Sequence, residues 1–149
     1  MREKSENFTR KKALLIVFIC AAALLLLIAL RWLGASKEPD AATRTGRVEF
    51  LTELGWEVDP ESEEYHSVLI PACDEGVMAE YNRMQLAQGY DLSRHCGEEC
   101  EQYSYVVTNY PNYNQTVIVT LYVRGRQVIA GDIHSAALNG FMHGLRANT

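Results

Sequence analysis

Lysine is missing from the long C-terminal part of the chain, where the last one is Lys37. From Arg44 onward the sequence holds seven arginines against fifteen aspartates and glutamates, which gives a net charge of −8. A domain of that sign repels the phosphates of nucleic acids and the headgroups of anionic lipids. We therefore expect this part of the chain to bind no nucleic acid.

Other familiar patterns are missing as well. The chain has no internal repeat and no low-complexity tract. The acidic stretch from Asp59 to Glu64 lacks the glycine and the bidentate glutamate of a calcium loop, which favours a solvated loop. No residue is accompanied by the base and the oxyanion hole that a nucleophile needs. The sequence accordingly predicts no cofactor and no complete catalytic site.

One long hydrophobic run is present near the N-terminus. Residues Ala13 to Leu30 are eighteen consecutive apolar residues. At about 1.5 Å per helical residue, such a run covers about 27 Å, close to the ~30 Å hydrocarbon core of a bilayer. We predict a membrane anchor over residues 13–33, preceded by a tail (1–12) and followed by a polar linker (34–43).

The charges on either side of the run indicate its direction. Arg10, Lys11 and Lys12 lie directly before it, whereas Arg31 alone follows it immediately. Positive residues next to a span are retained on the cytoplasmic side. The protein is therefore expected to cross the cell membrane once, with a cytoplasmic N-terminus and an extracytoplasmic domain over residues 44–149. A cleaved signal peptide is the alternative, although its apolar core usually has only about 7–15 residues.

Residues 44–149 suffice for one small domain with its own core. A first helix is predicted from the apolar residues between Val48 and Leu54, with Gly55 to stop it. A second is predicted from Asp74, as N-cap, to Gly89. The residues predicted to face inward in the second helix are Val77, Tyr81 and Met84.

Strands dominate the second half of this domain. Aromatic and β-branched residues predict strands over 65–70, 102–110, 116–123 and 127–133, with Arg124-Gly125 as a hairpin turn. Helices early and a strand meander late indicate an α+β fold. We expect two helices packed on one face of an antiparallel sheet of about four strands.

Three cysteines lie outside the predicted anchor. Cys96 and Cys100 flank a Gly-Glu-Glu turn, and the environment outside the membrane is usually oxidising, so a disulfide between them is predicted. Cys73 is then an odd thiol, either buried or replacing one member of the pair. A zinc site using Cys96, Cys100 and His95, completed by Cys73 or His66, is a weaker alternative. A redox-sensing role for the pair is a further hypothesis, although the Cys-x-x-Cys of thioredoxin-like proteins is absent.

Asp132, His134 and His143 form the candidate catalytic or metal-binding set. Residues two apart in a strand share a face, so Asp132 and His134 can present a carboxylate and an imidazole together. If His143 folds back onto them, the three suit a metal site or an acid–base pair. The alternative is a capped strand end with histidines packed beneath a short helix.

Tyrosines are frequent in the predicted sheet. Tyr110 and Tyr113 flank a turn containing Pro111. At that position they could anchor a protein partner or stack on a sugar. They could equally cover a sheet edge.

The C-terminal motif, Gly131 to Ser135 followed by Asn139 to Leu145, resembles the closing signature of a family of small membrane-anchored proteins. That family is a domain of unknown function from Gram-positive, clostridia-like bacteria. Further similar segments, in the same order, are Phe50-Leu51 with Gly55-Trp56, Tyr81-Asn82, Gln88 to Leu92, and Asn109 to Pro111. The resemblance covers about residues 44–145 and implies an extracytoplasmic domain on a single anchor, with no assigned activity, cofactor or catalytic residue. Cys96 and Cys100 lie outside the pattern, which favours a local bridge.

The expected function is a non-enzymatic binding or interaction module at the cell surface. Its expected partners are the membrane, through the N-terminal helix, and a protein or cell-envelope ligand. The alternative function is a metal-binding or metal-dependent hydrolase site built on Asp132, His134 and His143. These functions differ in one geometric respect, namely whether the three side chains converge in a cleft.

Overall fold

A computed structural model of the protein describes residues 21–23, 26, 38–73 and 75–146. The chain divides into two units, Met1–Glu38 and Pro39–Thr149. In the first unit, residues 21–23 and 26 are helical. The predicted tail, most of the predicted anchor and residues 34–37 of the predicted linker lie outside the described residues. Within the described residues, no helix has both the length and the apolar character needed to cross a membrane.

The described part of the second unit contains two α-helices, one 3-10 helix and five strands. The helices are α1 (Arg44–Glu53), α2 (Gly76–Ala87) and the 3-10 helix (Leu92–His95). The strands are β1 (Val58–Leu69), β2 (Glu99–Val107), β3 (Val117–Arg124), β4 (Gln127–Ser135) and β5 (Met142–Gly144). They form one antiparallel sheet in the order β1-β2-β3-β4-β5. The α+β class is confirmed, with one short strand, β5, more than predicted.

The sheet face under α1 carries the main core. Leu51 of α1 is completely buried against it, and Gly55 follows the helix with a left-handed φ of 90°. The buried strand residues of this face are Tyr103, Tyr105, Val107, Val117, Val119, Leu121, Val123 and Ile133. Alternating apolar residues in β3 predicted this face correctly, because successive strand residues point to opposite sides.

Helix α2 lies on the opposite face, which corrects the expectation that both helices share one face. It packs on a second, smaller core, to which Met78 and Tyr81 contribute from the helix. The buried members of this core are Ile70, Cys73, Leu92, Cys100 and Ala130. The sheet is therefore covered by one helix on each side, and each side has its own apolar cluster.

Amide side chains fix α2 to the end of the sheet. Gln85 is completely buried; its Nε2 donates to the carbonyl of Gly131 (3.1 Å) and its Oε1 accepts from the Gly131 amide (3.0 Å). Pairing between β4 and β5 begins only at Asp132, opposite Gly144. Gln85 thus bonds the N–H and C=O of Gly131, which have no partner in β5. Buried backbone polar groups need such hydrogen-bond partners.

The predicted inner face of α2 is only partly right. Tyr81 and Met84 are half-buried, but Val77 is 83% exposed. The N-cap position is held by Glu75 rather than Asp74, which lies outside the described residues. Apolar spacing was misleading because the fully buried positions of this helix are amides, whose hydrogen bonds offset the cost of burial.

Strand β1 begins at Val58 rather than Tyr65 and includes the acidic stretch that was predicted to be a loop. Its register shifts between Asp59 and Glu64. Glu63 lies within this bulge and bonds Arg47 of α1, with 2.8 Å between Oε2 and Nη2. Arg47 is only 3% exposed, so the acidic stretch supplies the partner that a buried guanidinium requires.

The segment before α1 is attached to the sheet. Ala41 is buried; its amide donates to the carbonyl of Arg126 in the β3–β4 turn (3.1 Å), and its carbonyl accepts from Nη1 of Arg47 (2.8 Å). Asp40 and Arg126 also form an ion pair. The folded unit thus starts at Pro39, inside the segment predicted as a linker.

Much of the C-terminal motif has a packing role. Trp56 donates from Nε1 to the carbonyl of Leu145 (2.6 Å), which ties the end of the described chain to the residues after α1. A Cβ on Gly131 would overlap the Leu145 side chain, and a Cβ on Gly144 would overlap the amide of Gln88. These glycines are therefore needed for close approach.

Candidate functional site

The sheet face under α2 carries polar side chains in its centre, whereas the face under α1 is apolar there. Across neighbouring strands, Ser104, Thr120 and Asp132 lie side by side in register. The hydroxyl oxygens of Ser104 and Thr120 are 3.1 Å apart. Polar residues on a partly covered sheet face are unusual as core, and they identify this face as the candidate site.

Asp132 is the centre of this polar group. It is only 3% exposed, and each carboxylate oxygen accepts one hydrogen bond. The hydroxyl of Tyr81, from α2, donates to Oδ2 (2.6 Å), and Nδ1 of His134 donates to Oδ1 (2.8 Å). Asp132 and His134 are therefore brought together on one face, as their spacing in β4 predicted.

The buried carboxylate changes the pKa values around it. Burial and then the charge of Asp132 raise the pKa of Tyr81 far above its usual range. Burial and the same charge also raise the pKa of Tyr122 on β3. The hydrogen bond to Asp132 raises the pKa of His134, against the opposing effect of desolvation. Both tyrosines are therefore neutral, and the imidazolium form of His134 is favoured.

A pocket of about 350 Å³ opens beside this group, between α2 and the sheet. Its apolar wall includes Val68, Leu69, Ile70, Val77, Met78 and Met142. Its polar end consists of Tyr81, Gln102, Thr120, Tyr122, Asp132 and His134. The rim is exposed, because Leu69, Val77 and Met142 each leave more than half of their surface open to solvent. We call this cavity the α2 pocket.

His134 is the residue of the pocket with a free ring nitrogen. Its Nδ1 is held by Asp132, and its side chain is 27% exposed. In the part of the chain that the structure describes, no protein group hydrogen-bonds its Nε2. The second ring nitrogen is thus left for a bound molecule.

His143 lies on the other face of the sheet. It pairs with Ile133 rather than with Asp132 or His134, so its side chain points toward the α1 core. Its Nε2 is 3.0 Å from the Tyr110 hydroxyl, and its Nδ1 is 2.7 Å from the Gly144 carbonyl oxygen. The three residues of the sequence-predicted set therefore do not converge. Within residues 38–73 and 75–146, no three His, Cys, Asp or Glu side chains are grouped to hold a metal ion.

The two tyrosines of the predicted turn cover the sheet instead of standing free. Tyr110 stacks on Trp56 (ring centroids 5.8 Å apart) and on Phe141 (4.8 Å). Tyr113 meets Phe141 edge-on, and its hydroxyl is within hydrogen-bond distance of Ser135. The two tyrosines are therefore packed in an aromatic cluster at the sheet, which agrees with the alternative that they cover a sheet edge.

The cysteine pairing differs from the prediction. Cys73 and Cys96 are at disulfide distance, with their Cα atoms 6.2 Å apart, whereas Cys100 is a buried free thiol. Gly97, at a left-handed φ of 80°, turns the chain between Cys96 and β2, and Cys100 pairs in register with Val68. The predicted Cys96–Cys100 bridge is therefore wrong, and Cys73 replaces Cys100 in the pair.

The residues of the alternative zinc site form no metal-binding group in the described part of the chain, because Cys73 and Cys96 are paired with each other. Nδ1 of His95 is 2.9 Å from a carboxylate oxygen of Glu98, and His66 is exposed on β1. Burial raises the pKa of the Cys100 thiol, which disfavours the thiolate that binds metals.

Sequence reasoning missed Tyr81, Gln102, Thr120 and Tyr122 as members of the site. Thr120 and Tyr122 alternate with the apolar residues of β3, so they are a readable signal of a polar face. Tyr81 has no such signal, because only the packing of α2 brings it to Asp132.

Comparison with family models, curated proteins and solved structures finds no match to the chain.

Proposed function

We propose that residues 39–149 form a non-enzymatic binding module whose ligand site is the α2 pocket. The observation that carries the proposal is the pocket itself, which has an apolar wall, an exposed apolar rim and a fixed polar group at one end. Small-molecule sites are typically about 300–1,000 Å³, mostly apolar, with a few well-placed polar groups. Clustered exposed apolar side chains otherwise favour unwanted association, so they indicate a binding surface.

We propose further that this module is held outside the cell by a single membrane anchor over residues 13–33. The basic residues before the apolar run support that direction. The resemblance to small anchored extracytoplasmic proteins supports the same location. The net charge of −8 from Arg44 onward supports a protein or cell-envelope ligand and argues against nucleic acid.

Acid–base catalysis is a second candidate, favoured by the hydrogen bond between Asp132 and His134. A buried carboxylate that holds one ring nitrogen leaves the other to accept and donate protons. We prefer binding, because the described residues that line the pocket include no serine or cysteine. Their one aliphatic hydroxyl belongs to Thr120, which is already within hydrogen-bond distance of Ser104.

Methionine methyl NMR tests the binding function directly. Met78 and Met142 line the α2 pocket, whereas Met84 does not. We expect small apolar molecules, added to the full chain in lipid nanodiscs, to shift the methyl signals of Met78 and Met142 and to leave Met84 unchanged. Met142 also lines a second cavity together with Met84, so hits that move Met84 without Met78, or no methionine, would contradict the assignment of the pocket.

A pair of variants on one helix sharpens that test. Val77→Asp puts a charge on the apolar rim, and we expect it to weaken binding at least about tenfold. Leu86→Asp is the matched control, because Leu86 is 51% exposed on the same helix and does not line the pocket. Equal weakening by both variants would mean that the effect is general and not local to the rim.

A further inference from the structure

The polar end of the α2 pocket offers a ligand only a few free hydrogen-bonding groups. Both oxygens of Asp132 are already occupied by donors from Tyr81 and His134. Because Asp132 is also only 3% exposed, a positively charged ligand has little access to this carboxylate. Nε2 of His134 has no such competitor among the described residues.

The charges facing His134 favour a negative ligand at that nitrogen. The ionisable groups that line the pocket with it are Tyr81 from α2, Tyr122 from β3 and Asp132 from β4. The two tyrosines are neutral, and the Asp132 carboxylate is already bonded to the other ring nitrogen, Nδ1. Hydrogen bonding to Asp132 raises the pKa of His134 and so favours its charged form. The protonated ring then presents an N–H donor at Nε2 beside an apolar wall, where electrostatic attraction is strengthened.

We infer that the α2 pocket binds an apolar molecule carrying a single carboxylate, which accepts a hydrogen bond from Nε2 of His134. This inference rests on the proposed binding function and adds the chemical class of the ligand. The apolar body would pack on Met78 and Ile70, and a cavity of about 350 Å³ admits one aromatic ring or a short acyl chain. A simple acid and the C-terminus of a peptide both present this chemistry.

Three probes that share one apolar body and differ in the charge of their end group separate the effect of ligand charge on affinity from the effect of burying the apolar body. They are 3-phenylpropanoate, 3-phenylpropan-1-ol and 3-phenylpropylammonium, titrated into the full chain in nanodiscs and corrected for uptake by empty nanodiscs. At about pH 6, where the raised pKa of His134 favours its protonated form, we expect the carboxylate to bind at least about tenfold more tightly than the alcohol, and the ammonium most weakly. As the pH rises through the pKa of His134, the preference for the carboxylate should disappear.

His134→Gln identifies the group responsible. The variant should bind the carboxylate and the alcohol about equally, while binding of the alcohol stays close to wild type. His66→Gln is the matched control, because His66 is exposed on the same sheet face and does not line the pocket. The pH dependence of the wild type tests for a titrating group without any substitution, and the variant assigns it to His134.

The outcomes distinguish this inference from the function on which it rests. If none of the probes shifts Met78, the proposed binding function fails. If all three bind with equal affinity, or the ammonium binds best, the function stands and the carboxylate inference is overturned. N-acetylphenylalanine separates the two sources: tighter binding than 3-phenylpropanoate assigns a peptide end, and weaker binding assigns a simple acid.

Discussion

The carboxylate of Asp132 is almost inaccessible to water. Its two hydrogen bonds therefore contribute to the stability of the fold as well as to the proposed ligand binding. A buried charge is costly unless donors or an opposite charge compensate it. Tyr81 supplies a neutral donor from α2, and His134 supplies one that is charged at low pH. One side chain, His134, therefore connects the stability of the fold with the proposed binding of an anion.

His134→Gln is expected to make stability less dependent on pH. The folded-state pKa of His134 is raised, chiefly by its hydrogen bond to Asp132, above the unfolded value of about 6.5. The stabilisation is therefore fully present below about pH 6.5 and is lost as the pH rises through the folded-state pKa. By urea unfolding, we expect wild type to exceed the variant by about 1 kcal/mol at about pH 5.5.

The same measurement on His66→Gln provides the control. His66 is exposed and has no hydrogen bond from its side chain in the described chain, so its replacement removes an imidazole and leaves the pair of Asp132 and His134 in place. A difference between wild type and His134→Gln that is constant from acid to alkaline pH would contradict the assignment of the charged pair.

Arg47 is a charged residue within the core, and it stabilises the contact between α1 and the sheet. Its Nε donates to the Tyr105 hydroxyl (2.8 Å), its Nη2 bonds Glu63, and its guanidinium lies 3.5 Å above the ring of Tyr103. Burial would raise the pKa of Glu63, but hydrogen bonds from Tyr105 and Arg47 lower it overall. The pair is charged at neutral pH and holds α1 to the sheet.

Helix α2 and the 3-10 helix are enclosed by one covalent link. The Cys73–Cys96 pair has a sequence separation of 23, and closing a loop of that length stabilises a fold by about 3 kcal/mol. We expect Cys73→Ser and Cys96→Ser each to lower the free energy of unfolding by about that amount. The double variant should lose no more than either single variant, because one bond is removed in all three.

Peptide mapping without reduction tests the pairing itself. The expected cross-linked peptide joins the segments around Cys73 and Cys96, and Cys100→Ala should leave it intact. Cys100→Ala is also the control for stability, because it removes a buried thiol but no cross-link. A cross-linked peptide containing Cys96 and Cys100 would restore the pairing predicted from sequence and contradict the structure.

Helices and strands whose apolar residues repeat at a regular spacing could be predicted from the sequence. Elements whose buried residues are polar, or which are very short, could not. Strand β3 alternates strictly, and Gly55 marks the end of α1, so both were predicted almost in place. The apolar spacing of α2 was misleading, because its buried positions hold amides that bond backbone. Strand β5 has only three residues, too few for any pattern to show.

The candidate site divides in the same way. Local spacing in β4 predicted that Asp132 and His134 share a face, since that depends only on alternation. The side on which His143 lies depends on the register of β5, which one residue of shift reverses. The contribution of Tyr81 depends on where α2 lies, and no local pattern contains that information.

For the whole molecule, the proposed orientation in the membrane is the property most open to test. We expect replacement of Arg10, Lys11 and Lys12 by Glu to lower the fraction of molecules with residues 44–149 outside the cell, because it removes the charges retained in the cytoplasm. Protease accessibility of the C-terminal domain in intact cells measures that fraction.

A charge-matched control separates position from net charge. The exposed residues Arg83, Arg94 and Arg146 can be replaced by Glu together. This makes the same change in net charge at positions far from the apolar run in the sequence. This variant should keep the wild-type orientation. Unchanged orientation of the Arg10, Lys11 and Lys12 variant would contradict the charge argument for topology.

The attachment of Ala41 to the β3–β4 turn determines how the domain would respond to mechanical load. A protein tethered at its N-terminal side is pulled through the residues that enter the fold. Because Ala41 is hydrogen-bonded to both Arg126 and Arg47, a pull there acts on the turn between two central strands as well as on α1. The force is shared among several hydrogen bonds instead of peeling α1 away first. The α2 pocket is lined by Thr120 of β3 and Asp132 of β4, so a load on the turn between these strands would reach the pocket through the sheet.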